Sequence, residues 1–110
     1  MLVNDSRIKA TVAYQPYYAI ASSQNVVPVL IVTTSNDATA PYNDNGLKFY
    51  NEINSTKLMF DIIGYSHYEF PQIIYRCSSD WFSAHFAANV TASNDLEQFL
   101  SSPQIDIKKP

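Results

Sequence analysis

The segment Val26 to Thr34 constrains the fold more than any other part of the chain. It is the most β-branched run and is apolar almost throughout. A strand with one wet face alternates, so this run reads as a strand covered on both faces. Pro28 has no amide hydrogen, and the regular ladder is therefore expected to start at Val29. Upstream, Arg7 to Tyr14 does alternate. Ile8, Ala10, Val12 and Tyr14 point one way, and Arg7, Lys9, Thr11 and Ala13 the other, as in a strand with one wet face.

The rest of the chain divides at its turn signals. Pro16 interrupts the first strand, and Tyr17 to Ile20 resumes the extended path. Ser35 to Gly46 is a loop by composition, and its Asn45-Gly46 pair predicts a tight turn into a strand over Leu47–Ile53. Asn54 to Gly64 fits two patterns. A helix capped by Ser55 and stopped by Gly64 is preferred to a strand with Leu58, Phe60 and Ile62 on one face. Gln72 to Cys77 reads as a strand opened by Pro71. Ser79 to Thr91 also reads as a strand, because Phe82, Ala84, Phe86, Ala88 and Val90 alternate without a miss. The helical alternative there would pair Phe82 with Phe86 and Trp81 with His85. Asn94 to Glu97 carries a capping-box pattern for a short helix to about Ser101, and Ile105 and Ile107 form an extended tail suited to a sheet edge.

The expected fold class is thus mainly β: an antiparallel sandwich or small barrel with one or two short helices. One β-rich α+β domain would span 1–110, with extended segments at 1–6 and 103–110.

Charge and cysteine content exclude several functions. Lys and Arg number 7 against 10 acidic residues, giving a net charge of −3, and only Lys108 and Lys109 are adjacent. No basic patch is available to neutralise several phosphates together, so no nucleic-acid partner is expected. Cys77 is the single cysteine, which excludes an intramolecular disulfide, and with His67 and His85 it makes a poor zinc set. No segment resembles a signal peptide or approaches the ~20 apolar residues of a spanning helix, so a chain made in a cytoplasm, with no membrane partner, is expected. Three glycosylation sequons, at Asn4, Asn54 and Asn89, carry no weight in a chain this rich in Asn and Ser.

Candidate chemistry is sparse. Cys77 with a histidine could form a thiol–imidazole pair, but Cys77 keeps register with Ile73 and Tyr75 and reads as a packed core thiol. His67-Tyr68-Glu69 matches the His-x-Glu element of zinc deaminases without the paired cysteines that chemistry needs. Asp37, Asn43, Asp44 and Asn45 offer oxygen ligands, yet the EF-hand spacing puts Pro41 where the first ligand belongs. Two glycines cannot build a phosphate-cradling loop. No cofactor and no catalytic residue is expected.

Charged residues make up 15% of the chain; 12 Ser, 9 Asn, 6 Thr and 5 Gln take up the difference, and 8 Tyr stand beside them. Tyrosine with small hydroxyl and amide side chains is the chemistry of recognition surfaces. The expected contact residues are Tyr17, Tyr18, Tyr42, Asn43, Asp44, Asn45, Tyr65, Tyr68 and Trp81. The expected function is non-enzymatic: a structural subunit docking on other subunits, of its own or another kind, through sheet edges and these loops. The composition is similar to that of virion structural proteins of tailed phages. Val27 to Thr34 with Leu58 to Gly64 resembles the start of contractile-tail sheath proteins over less than a third of the chain, and sheath proteins are several times longer. A phage-like capsid or tail role, in an oligomer or larger particle, is what these similarities imply. A carbohydrate- or small-ligand-binding module that stacks ligands on Trp81 and surface tyrosines is the alternative, and a small hydrolase comes third.

Overall fold

A computed structural model describes residues 7–16, 27–69, 72–86, 90–98 and 105–108. Its elements run β1 (Thr11–Tyr14), β2 (Val29–Thr34), α1 (Gly46–Glu52), β3 (Lys57–Ile62), α2 (Gln72–Phe86), α3 (Val90–Gln98) and β4 (Ile105–Lys108). The strands form one open sheet in the order β1-β2-β3-β4. β1, β2 and β3 are mutually parallel, while β4 lies antiparallel against β3. The expected antiparallel sandwich or barrel is therefore wrong: this is a small α+β fold with helices on the faces of a parallel sheet.

β2 is where the sequence reading holds best. Its ladder starts at Val29, and Val29, Leu30, Ile31 and Val32 are all fully buried. Each such side chain contributes about 2 kcal/mol of apolar burial, so the strand requires a layer on both sides. Leu30 and Val32 face a core with Phe60, Ile62, Ile74, Cys77, Trp81 and Leu96, which joins the sheet to α2 and α3. Val29 and Ile31 face a core with Ala13, Phe49, Tyr50, Ile53 and Met59, which joins it to α1. β1 is shorter than expected, beginning at Thr11, but Ala10, Val12 and Tyr14 do share the α2 side.

Four segments depart from expectation, each because two periods fit the same apolar residues. Leu47–Ile53 was expected to be a strand. Gly46, Phe49, Tyr50 and Ile53 are the buried positions, and their spacing of three, four and seven is a helical stripe. Asn45-Gly46 accordingly leads into a helix instead of a strand. Lys57–Ile62 was expected to be helical. Its Leu58, Phe60 and Ile62 face α2 while Met59 faces α1, which is the strand alternative. Ser55, the supposed cap, donates its hydroxyl to the Val27 carbonyl, and Gly64 sits in a turn at φ 97.

Gln72–Cys77 and Ser79–Thr91 were expected to be two strands. Residues 72–86 are a single helix that buries Ile74, Cys77 and Trp81. Phe82 stacks on Phe86 at 5.5 Å between ring centroids, and Trp81 lies 4.2 Å from His85, as the helical alternative requires. α3 begins at Val90, four residues before the expected cap, so Asn94 lies inside it. The tail behaves as expected, with Ile105 opposite Ile62 and Ile107 opposite Phe60. Residues 1–6 and Tyr17 to Ile20 lie outside the described residues.

Candidate functional site

In open sheets with parallel strands, ligands bind beyond the carboxyl ends of the strands, where successive loops diverge. Here three such ends are tied together by polar side chains. Gln15, which follows β1, is buried and holds φ at 46, a conformation few non-glycine residues adopt. Its Nε2 donates to Thr34 Oγ1 at 2.6 Å and to the Ser66 carbonyl at 2.9 Å. The Thr34 hydroxyl also donates to that carbonyl, at 3.4 Å. The loops after β2 and β3 continue the pairing, with Ser35 N–H bonded to the Ile62 carbonyl and Asn36 N–H to the Tyr65 carbonyl. Tyr14, the last residue of β1, donates its hydroxyl to the Glu69 carbonyl at 2.6 Å.

Within this frame Asp37 and His67 meet. The Asp37 side chain is only 2% exposed. Its Oδ1 accepts the backbone N–H groups of Thr39 (3.0 Å) and Ala40 (2.7 Å). Oδ2 lies 2.7 Å from His67 Nδ1. A buried carboxylate needs such partners, and here they come from a local turn and from a histidine thirty residues away. His67 keeps 26% of its side chain exposed. Among the described residues its hydrogen bond is made through Nδ1, and Nε2 is the ring's other nitrogen. Tyr68 packs edge-on against the imidazole, 5.3 Å between centroids, and is itself 81% exposed. Glu69 folds back to accept the Ser66 N–H, which holds its carboxyl below the usual range. Burial, reinforced by Asp37, Tyr75 and Glu69, pushes the Tyr14 hydroxyl up to about 12, so it remains a hydrogen-bond donor at ordinary pH.

This arrangement suits binding and orientation. A buried carboxylate on one imidazole nitrogen fixes the ring and leaves the other nitrogen for a ligand, as in many metal and acid–base sites. No group of three or more His, Cys, Asp or Glu among the described residues is placed to hold a metal ion.

The expected contact residues separate. Tyr65 and Tyr68 belong to the site, Tyr65 half-buried against the α2-side core and Tyr68 open. Tyr42 packs against the α1-side core. Asn43 and Asp44 are exposed in a turn whose Asn45 side chain is spent on the Pro41 carbonyl. Trp81 is 4% exposed inside the α2-side core, so no face of it is open for stacking. Tyr17 and Tyr18 lie outside the described residues. The thiol–imidazole pair is dispersed. Cys77 is fully buried and burial pushes its thiol up to about 11, His85 lies against Trp81, and His67 is held by Asp37.

Sequence reasoning noticed Asp37 as an oxygen ligand and His67 as a possible partner of Cys77, but not the two together. No local motif joins residues so far apart. A shallow groove elsewhere is lined, among the described residues, by Gln72, Ile73, Tyr75, Arg76, Ser79 and Asp80. All six come from α2, so no second element converges on it among the described residues.

No helix among the described residues is long and apolar enough to cross a membrane. Compared with known proteins, the chain matches no protein family and no curated protein. The phage and virion role implied by composition therefore gains no support, and the β-sandwich expected alongside it is overturned by the sheet's topology.

Proposed function

We propose that this chain is a binding domain for a small polar ligand held at the carboxyl ends of β1, β2 and β3. The observation that supports the reading is His67. Its ring is anchored by a buried carboxylate on one side, accessible on the other, and flanked by the exposed Tyr68. Fixing a side chain before the ligand arrives lowers the entropic cost of binding. A purely structural histidine would have little need of an exposed aromatic neighbour. Trp81 is dropped from the ligand-contacting set, and Tyr68 takes its place.

The test is a thermal-shift screen of the chain against small polar compounds of neutral, anionic and cationic type. At least one class is expected to raise Tm, with the rise abolished in His67→Ala and in Tyr68→Ala. A rise of the same size in both variants, or none with any compound, would refute the reading.

A second reading, association with other subunits, is favoured by β1. This edge strand, Thr11–Tyr14, carries no charged residue, and Ile8 beside it is 42% exposed. Uncharged strand edges invite pairing with another chain. Light scattering at rising concentration tests it: an increase in mass that Ile8→Lys, at the exposed residue beside the edge, abolishes supports association, and a constant monomer mass counts against it.

A further inference from the structure

The Asp37–His67 contact fixes which hydrogen bond the site can make. A carboxylate has only acceptor atoms, so the proton of the contact sits on His67 Nδ1. In the neutral ring Nε2 then carries a lone pair and can only accept. An anion oxygen placed there would meet lone pair with lone pair, whereas a hydroxyl would donate. A second observation points the same way: two carboxyl groups, the buried one of Asp37 and that of Glu69 on the Ser66 N–H, stand at this end of the sheet and disfavour an anion there. The open face of Tyr68, set edge-on to the imidazole, offers an apolar platform beside the acceptor.

We infer that the ligand class is a neutral polyhydroxyl compound, such as a monosaccharide or cyclic polyol, whose hydroxyl donates to His67 Nε2 while its C–H face lies on Tyr68. The inference rests on the binding site proposed above and adds the polarity of the bond.

Histidine-selective NMR on the isotope-labelled chain at pH 8 reads the tautomer directly, and titration with glucose, mannose, myo-inositol and inorganic phosphate reads the preference. The expected result is a proton on Nδ1 and saturable shifts of His67 and Tyr68 with at least one polyol, phosphate binding at least tenfold more weakly. Asp37→Asn sharpens the test. The amide oxygen can still accept from Thr39 and Ala40, but the amide nitrogen must donate to Nδ1, moving the ring proton to Nε2. The preference for polyol over phosphate should then shrink tenfold or more, because a protonated Nε2 can donate to an anion oxygen, while a hydroxyl can still accept from it. Should that variant not fold, Tyr68→Ala removes an exposed side chain and should weaken polyol binding by a similar factor. A proton on Nε2 in the unaltered chain, phosphate bound better than every polyol at His67, or an unchanged polyol-to-phosphate preference in Asp37→Asn overturns the ligand class and leaves the site standing. Silence from all four probes overturns the ligand class, and the site falls with it only if the wider thermal-shift screen is silent too.

Discussion

Thr33 Cγ2 occupies the space that a Cβ on Gly46 would need, so the first residue of α1 lies directly against β2. The contact explains why a glycine opens this helix, since any side chain would push the helix off the sheet. Gly46→Ala should cost about 1–3 kcal/mol in urea denaturation, through overpacking. Thr33→Ser removes the obstructing methyl, so the double variant should be less destabilised than the sum of the two single variants. Additive losses would show that the contact is not the cause.

Gln15 combines strain with hydrogen bonding, and two substitutions separate them. Both Gln15→Ala and Gln15→Gly lose the amide bonds to Thr34 and Ser66. Only glycine also relieves the positive φ, which costs an ordinary residue about 1 kcal/mol. The glycine variant should therefore be the more stable of the two by about that amount. Equal stability would mean the backbone at Gln15 is relaxed.

Burial sets the alkaline limit. The Cys77 thiol is pushed up to about 11, whereas a thiol in the unfolded chain ionises near 9. The unfolded state therefore releases its proton first, and stability falls as pH rises from about 9 towards 11, by at most about 2–3 kcal/mol. The Tyr14 hydroxyl, pushed up to about 12, extends the loss in the same direction. Cys77→Ala should cost about 1 kcal/mol at neutral pH and flatten the fall between 9 and 11. Urea titrations at pH 8, 9, 10 and 11 check this, and an unchanged slope in the variant would contradict it.

The two partners of the site differ in what they leave behind. Asp37→Ala strands the amides of Thr39 and Ala40 and should cost about 3 kcal/mol. His67→Ala leaves Asp37 with both amide bonds and should cost about 1 kcal/mol. Thermal denaturation of the pair should place Asp37→Ala clearly lower.

What the sequence makes legible follows from how many patterns a segment can satisfy. β2 is apolar on both faces, and only a doubly covered strand explains the four apolar residues Val29 to Val32 after a proline. Elsewhere the two periods overlap. Phe49 and Ile53 lie four apart and also share a strand face, so the burial of Tyr50 beside Phe49 was needed to reveal a helix. Over 72–86 the alternation of Phe82, Ala84 and Phe86 masks the helical stripe of Ile74, Cys77 and Trp81, although Pro71 before Gln72 is also a helix-start signal. Reading these helices as strands turns a parallel sheet into a sandwich, which has no common carboxyl edge at which loops converge. Asp37 and His67 come together only through the pairing of β2 with β3, which no local pattern encodes.

Amide chemical-shift mapping with a ligand from the screen tests the central claim most directly. The largest changes are predicted at residues 14–15, 34–37 and 65–69, with β2 and β3 quiet at their amino ends near Val29 and Lys57. Changes centred on the α2 groove or on those amino ends would contradict a site at the carboxyl edge.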